Sequence, residues 1–493
     1  MARIILATIN AKWIHPSLAL RLLKANLGAL QEQCEILEFA LRQPLKEKVE
    51  PILAAQPEIL GLSVSIWNHL ATIELLEALE KEWLANGNDE EPQQKPVVVL
   101  GGPEVSWLPE EAEIFRHADF VIRGEGEESF RALCHEISRG DHRRNKTAGA
   151  TFINRTGAAV NLSEIDLPYR LYTDEDLRRK LVYVEASRGC PFGCEFCQGG
   201  LGKVREFPLE PFLAEMEILV DRGGRTFKFL DRTFNLDIDR AVKIMDFFLE
   251  KIETGNASPE RPICVHFEMV PSLFPQALKE SLRRFPPGTL RLELGIQTLN
   301  KETATLIKLP RNPQSSEKPE ELETLRFLRA ETNAIIHADL IAGLPGESLA
   351  SFGEGFDSLW QALSDSKPPS DTPFEIQLGI LKRLPGTPFG TPIARHDETH
   401  KMRYSPAPPY EVIETGALPA AELERLKNFA RFWETIVNRN PFPDLLPALL
   451  TPGEPVFHRF MNLSDKLLKT LGKNWGIDRM ELRACIIDFL GKF

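Results

Sequence analysis

What constrains this chain most is one loop that carries three cysteines. In Ser187-Arg-Gly-Cys190-Pro-Phe-Gly-Cys194-Glu-Phe-Cys197, three of the seven cysteines fall within eight residues, directly after the β-type run Leu181-Val-Tyr-Val184. An odd count gathered in this way is no disulfide framework; it points to a metal site in a reducing compartment. Three thiolates at C-x3-C-x2-C spacing can ligate three irons of a [4Fe–4S] cube and leave the fourth iron open. Zinc is the competing reading, but it wants a fourth Cys or His at short spacing. The nearest other cysteines, Cys134 and Cys264, are far away in sequence. The expected ligands are therefore Cys190, Cys194 and Cys197, and the expected metal is a [4Fe–4S] cluster.

Around this loop, short apolar runs alternate with helical spacing, which implies α/β architecture with parallel sheets. Arg3–Thr8, Ile36–Phe39, Ile59–Ile66, Pro96–Leu100 and Phe120–Ile122 are strand-like, with helical stretches such as Leu18–Leu30 and Ile73–Leu84 between them. They predict a doubly wound, Rossmann-like domain over residues 1–145. A basic turn at His142–Lys146 closes it, and a small hairpin at Ala150–Val160 turning on Thr156-Gly157 and a linker ending at Lys180 fill 146–180. Strand-like runs restart at 181–184, 226–230, 263–267, 291–296, 335–341 and 375–381. They predict a partial (β/α)6 barrel of TIM type over 181–400. Pro406–Pro409 then precedes a mainly helical C-terminal domain, 401–493, with helices expected at Ala420–Arg439 and Asn462–Phe493.

Composition narrows the function classes. With 43% hydrophobic and 26% charged residues the chain is an ordinary globular protein, not a disordered one. Its 71 acids against 59 bases, a net charge of −12, disfavour non-specific nucleic-acid binding. No apolar run approaches the roughly 20 residues needed to span a membrane. The first residues lack a long apolar stretch with a small-residue cleavage site, so no signal peptide is expected. A cytoplasmic location follows from these features and the cysteine usage.

Ligands of parallel sheets sit beyond the strands' carboxyl ends, so the candidates are residues just after each strand. In the N-terminal domain these are Asn10, Trp13 and His15, then Ser63 and Ser65, then Gly101, Gly102, Pro103 and Glu104, then Gly124 and Glu125. In the barrel they are Asp231 and Asn235 in Phe229-Leu-Asp231-Arg-Thr-Phe-Asn235, and Gly343 in Asp339-Leu-Ile-Ala-Gly343. Glu293 and Gln297 join them, four apart on a strand and hence on one face. Glycine at a strand end permits close backbone approach to a ligand. Glu268 reads equally as ligand or structural residue; His266 and His337 read as core residues, and Tyr404, Tyr410 and Trp433 as helix packing.

The cysteine loop, with Phe196 just before its last cysteine, resembles the radical S-adenosylmethionine (radical SAM) superfamily. With Val99-Leu-Gly-Gly-Pro103 and Val121-Ile-Arg-Gly-Glu-Gly126 upstream, the whole order resembles radical SAM proteins with a cobalamin (B12)-binding domain. The segment Pro408-Pro-Tyr410-Glu-Val-Ile extends the likeness to a subgroup with a DUF4080-type C-terminal domain. The resemblance implies that SAM chelates the open iron near Phe196, Asp231, Asn235, Glu293, Gln297 and Gly343. It implies that cobalamin lies along the N-terminal candidates, its nucleotide tail passing Ser63, Ser65 and Gly101-Gly102. One departure is clear: the D-x-H-x-x-G motif is absent, since His15 has neither the Asp nor the Gly, and this implies cobalt without a His lower ligand.

The implied activity is cleavage of SAM to a 5′-deoxyadenosyl radical and methylation of an unactivated carbon of an unidentified substrate through methylcobalamin. A low-potential electron donor, flavodoxin or ferredoxin, would serve it. No catalytic side chain is assigned. Two other readings stay open: non-methylating radical chemistry on RNA or a small molecule, with cobalamin as electron relay or lost, and a corrinoid- or metal-binding sensor without turnover. The strand-end motifs of the barrel argue against the sensor.

Overall fold

Six runs of the N-terminal third lie side by side in one parallel sheet in the computed structural model. It describes residues 3–85, 95–140, 152–198, 202–254, 261–310, 320–365, 373–390, 395–451 and 455–491. The strands are β1 Ile4–Asn10, β2 Cys34–Ala40, β3 Ile59–Ser63, β4 Val97–Gly101, β5 Phe120–Gly124 and β6 Ile153–Gly157, in the order β2-β1-β3-β4-β5-β6. Every neighbouring pair is parallel. Apolar residues occupy both faces of these strands, so helices cover both. Ile5, Leu60, Val98 and Val121 share a core with Ile52 of α1 (Leu45–Ala55) and Leu75 and Leu79 of α2 (His69–Ala85). Ile4, Ile59, Val99 and Phe120 share another with Phe130 and Leu133 of α3 (Glu127–Ser138) and with Leu20 of the helix Leu18–Ala25. The strand order reverses between β1 and β3, which makes their carboxyl ends the switch-point crevice of a doubly wound sheet.

Beyond β5 the structure corrects the sequence reading. In place of a hairpin over Ala150–Val160, Ile153–Gly157 extends the sheet, paired in parallel with β5 from Phe120↔Ile153 to Gly124↔Gly157. Thr156-Gly157 lies within that strand, and glycine is required there because an added Cβ would collide with the Glu125 backbone oxygen. The turn-like dipeptide is a local signal, whereas the pairing partner is remote in sequence. The basic turn at 142–146 lies outside the described residues.

The chain forms two compact units, Met1–Ala186 with Arg205–Lys228, and Ser187–Val204 with Phe229–Phe493. The expected linker is a built part of the first. Its helix Asp174–Arg179 opens with a capping box at Thr173. Arg21, 4% exposed, holds Glu38 at 2.9 Å and Asp176 at 3.0 Å, and Lys180 lies 2.9 Å from Asp176. The Arg21 guanidinium also stacks over Tyr172 at 4.6 Å.

All six barrel runs are strands: β7 Val182–Val184, β8 Thr226–Phe229, β9 Cys264–Met269, β10 Leu290–Gln297, β11 Ile335–Ala342 and β12 Phe374–Ile380. In the second unit β9 to β12 pair in that order, all parallel. Their helix-covered face is apolar, with Val265, Phe267, Leu292, Leu294, Ile336 and Ala338 fully buried. Helix α4 (Leu349–Ser364) and the C-terminal helices α5 (Ala420–Trp433), α6 (Phe457–Leu471) and α7 (Arg479–Leu490) share a core in this unit. Trp433 packs edge-on against Phe356 and Trp360, at 4.8 and 5.9 Å, and flat on Phe429 at 5.7 Å. The single helical stretch expected over Asn462–Phe493 divides at Gly472, whose φ of +66° ends α6.

Candidate functional site

The cysteine loop begins where its backbone must turn sharply. Gly189 has φ +103°, and a Cβ there would meet the Lys203 carbonyl at 2.9 Å, so only glycine fits. Neighbouring loops then tie it down. The Glu195 N–H donates to the Ile307 carbonyl, and the Phe389 N–H donates to the Glu195 carbonyl. The fully buried Glu195 carboxylate meets Lys308 at 2.9 Å, and the Gln198 amide donates to the Pro385 carbonyl at 2.6 Å. Ser187 donates to Asp231 at 2.6 Å, and Thr233 Oγ1 is 3.5 Å from Cys190 Sγ.

Cys190, Cys194 and Cys197 line one cavity of about 250 Å³ with Phe196, Thr233, Glu268, Glu293, Gln297 and Asp339. The donor set fits an iron–sulfur cluster. Burial pushes the Cys194 thiol up to about 12, and the neighbouring Cys197 and Cys190 add to the rise; a polycation shared by the three thiolates would remove that penalty. Among the described residues no three His, Cys, Asp or Glu side chains surround a single-ion position. A cube takes one thiolate per iron instead. A larger cavity, about 730 Å³, shares Phe192, Pro271 and Pro310 with the first.

Of the six residues expected near SAM, Phe196, Glu293 and Gln297 reach this cavity. Gln297 does so at φ +60°, after a register shift in β10, and Gly295 leaves room for its amide. Asp231, 2% exposed, accepts from Ser187 beside the loop. Asn235 is fully buried and clamps backbone: it donates to the Val270 and Leu273 carbonyls and accepts from the Val270 N–H. Gly343 serves packing, since Val412 Cγ1 lies 2.5 Å from where its Cβ would be. Thr233 and Asp339 on the cavity wall were missed. Their signal was available, because Thr233 lies between Asp231 and Asn235, and Asp339 is two residues along the strand from His337.

The barrel-facing side of β9 to β12 is polar. His266 and Glu268, then Glu293, then His337 and Asp339, then Glu375 and Gln377 alternate with the buried apolar residues. A closed TIM barrel fills this space with branched aliphatics; here Glu268, Glu293 and Asp339 of this side line the cysteine cavity.

In the first unit the expected residues gather at the carboxyl ends of β1, β3 and β4. Asn68, fully buried, binds these ends: it donates to the Ile9 and Ser63 carbonyls and accepts from the Ser65 N–H. Asn10 donates to Glu38. His15 Nδ1 is 2.7 Å from the Tyr183 hydroxyl, and burial together with Lys12 and Lys228 lowers its pKa. Glu104 is 2% exposed and meets His69 Nδ1 at 3.0 Å, so it positions the loop from inside. Pro103 is exposed. Gly124 and Glu125 serve the fold, the former against Gly157 and the latter with Arg205 and the Val160 N–H. Three tryptophans, Trp13, Trp67 and Trp107, are each about half exposed just past β1, β3 and β4. Arg179 and Lys180 sit over the Trp13 ring at 5.3 and 5.2 Å. Exposed aromatics clustered at a sheet edge suit a flat macrocycle such as a corrin. Trp67 and Trp107 were overlooked because a lone tryptophan in a loop carries no periodic signal.

The two adjacent glycines differ. A Cβ on Gly102 would meet the Val64 carbonyl at 2.6 Å, and its φ is +105°, whereas one on Gly101 would meet nothing closer than 3.7 Å. Gly102→Ala should therefore cost about 2 kcal/mol in chemical denaturation. Gly101→Ala should leave stability nearly unchanged, and an equal loss in both variants would contradict this geometry.

Two family models match this chain. The B12 binding domain model matches residues 4–134, and the Radical SAM superfamily model matches residues 184–359. An uncharacterized methyltransferase of Pyrococcus horikoshii is 34% identical over 165 residues, 30% of this chain and 36% of that protein. The cobalamin-dependent radical SAM methyltransferase TokK of Streptomyces tokunonensis is 23% identical over 425 residues, 81% of this chain. The chain spans 56% of TokK's length. The solved radical SAM methyltransferase TsrM of Kitasatospora setae, with tryptophan and a SAM analogue bound, aligns at TM-score 0.59 and 17% identity over 82% of this chain and 79% of its own. That likeness is one of fold.

Proposed function

Because this chain joins a B12-binding domain to a radical SAM domain, we propose that it is a cobalamin-dependent radical SAM methyltransferase acting on an unactivated carbon of a small molecule. The observation that carries the reading is the three-cysteine loop beside a cavity lined by carboxylates, in a chain whose other domain exposes tryptophans at its strand ends. Cys190, Cys194 and Cys197 would hold a [4Fe–4S] cluster, which supplies the electron that cleaves SAM. Trp13, Trp67 and Trp107, with open backbone at Gly101, would hold cobalamin, which supplies the methyl group.

The chain's own side chains do the rest. Glu268, Glu293 and Asp339 give the cavity the charge that attracts SAM's ammonium and sulfonium groups. Gln297 offers an amide to its polar edges, and Phe196 an apolar surface to its adenine. Thr233 is placed to donate to the Cys190 sulfur, an outer contact of the kind that tunes cluster potential. Among the described residues no helix is long and apolar enough to cross a membrane. A low-potential flavodoxin or ferredoxin in the cytoplasm would supply electrons.

The test is anaerobic reconstitution with iron, sulfide and hydroxocobalamin, followed by desalting and corrinoid quantification after cyanide extraction. Stoichiometric corrinoid is expected, and substrate screens should then give a product heavier by one methyl, with S-adenosylhomocysteine and 5′-deoxyadenosine. Cluster-loaded protein that cleaves SAM but retains negligible corrinoid would replace methyl transfer with non-methylating radical chemistry.

A further inference from the structure

Within the cysteine loop, one carboxylate is buried where a lone charge is strongly disfavoured. Glu195 lies between Cys194 and Phe196, inside a tight turn that the Cys197 N–H closes on the Cys194 carbonyl. Its side chain is 2% exposed, and its Oε1 meets the Lys308 ammonium at 2.9 Å. His396 Nε2 stands 3.9 Å from its Oε2. Removing one partner of such a pair leaves a buried charge without its counterion, which a surface ion pair never does.

The backbone makes Lys308 an unusual choice for its position. It follows the helix Lys301–Leu306 and the cap residue Ile307, at φ +53°. Its N–H donates to the Thr305 carbonyl at 3.2 Å, and the Leu309 N–H donates to the Ala304 carbonyl at 3.0 Å. This is the Schellman arrangement, whose left-handed residue is usually glycine. Glycine would ease the backbone there but has no side chain to reach Glu195. An outlying conformation kept at a charged residue points to a use for its side chain. The next two residues, Leu309 and Pro310, line the cysteine cavity. The Glu195 N–H donates to the Ile307 carbonyl, so the ion pair and a backbone bond join the same two loops.

This placement bears on reduction. The potential of an iron–sulfur cluster depends on the net charge around it. Glu195 is one residue from one expected ligand and two from another, so its uncompensated charge would oppose the added electron. We propose that Lys308 sets the reduction potential of the cluster by neutralising Glu195, an inference that rests on the cluster assignment above. Lys308 acts through Glu195, as outer contacts act through the groups they hold.

The test is a redox titration of the reconstituted holoenzyme, read by electron paramagnetic resonance of the reduced cluster. It is run at one fixed pH and low salt, because the Lys308 side chain is 56% exposed and added ions screen its charge. Lys308→Met should lower the midpoint, the one-electron reduction equilibrium falling about threefold, or about 28 mV. Lys308→Arg keeps the charge and should keep the parent midpoint. Glu195→Gln should raise the midpoint, because it removes the buried negative charge. A pair that only braced the loop would shift Lys308→Met and Glu195→Gln in one direction. The two Lys308 variants decide alone if Glu195→Gln does not fold. A Lys308→Met midpoint at or above the parent's, a Lys308→Arg midpoint as low as that of Lys308→Met, or a downward shift in Glu195→Gln would overturn the proposal and leave the cluster assignment standing. A parent protein with no reduced-cluster signal would bring down that assignment, and this inference with it.

Discussion

Cys194→Ala is expected to yield a folded protein whose 5′-deoxyadenosine formation falls by more than about a thousandfold. Two thiolates cannot hold a cube that three hold through one iron each, so iron and sulfide content should fall with activity. The fold should persist because the loop is anchored elsewhere: by the backbone bonds of Glu195 to Ile307 and Phe389, and by Gln198 to Pro385. With its pKa raised to about 12, the Cys194 thiol is uncharged near neutral pH in the metal-free protein, so replacing it changes no charge there. The apo form should therefore melt within a few degrees of the apo parent. Cys485→Ala, in α7 and outside the loop, should retain full activity. SAM cleavage at the parent rate by the Cys194 variant would dismiss the cluster assignment.

Arg21→Met is expected to destabilise the first unit by about 3–5 kcal/mol, the usual cost of removing one partner from a buried ionic network. Arg21 is flanked by Glu38 and Asp176, whose side chains are 9% and 8% exposed, and the substitution leaves both carboxylates to Lys180. The sign of the pH dependence follows from Asp176. Burial alone would raise its pKa, but the Lys180 hydrogen bond and the Arg21 charge outweigh burial and lower it. A depressed carboxyl pKa stabilises the fold above the ordinary aspartate value of about 3.9, and that contribution is lost as pH falls through the lower native value. The parent should thus lose stability on acidification below about pH 4, and the variant, lacking Arg21's share, should lose less. Urea unfolding at a series of pH values reads both effects. A variant as stable as the parent at pH 7 would mean the network contributes nothing.

Much of this architecture is visible in residue patterns because it is local. Strand–helix alternation marks the first sheet and all six barrel strands, and C-x3-C-x2-C marks the loop without any need for tertiary information. Failures came where meaning depends on a distant partner. Ile153–Gly157 carries a turn-like dipeptide, and only its pairing with β5 makes it a strand. Gly343 has the look of a ligand-approach glycine, and what comes close is Val412, about 70 residues further on. Asn235 follows the strand end as a ligand residue would, yet all three of its hydrogen bonds go to backbone.

The chain passes between its two units three times, after Ala186, after Val204 and after Lys228. A single cut therefore never separates them cleanly. A fragment ending at Ala186 would lack the helix Leu209–Asp221 and the Arg205 that pairs with Glu125, and would leave the cysteine loop stranded on the other piece. Gene fusions or swaps that treat the cobalamin module as a detachable cassette should fail for this chain. An exchange that respects its topology must replace 1–186 and 205–228 together and splice the cysteine loop between them.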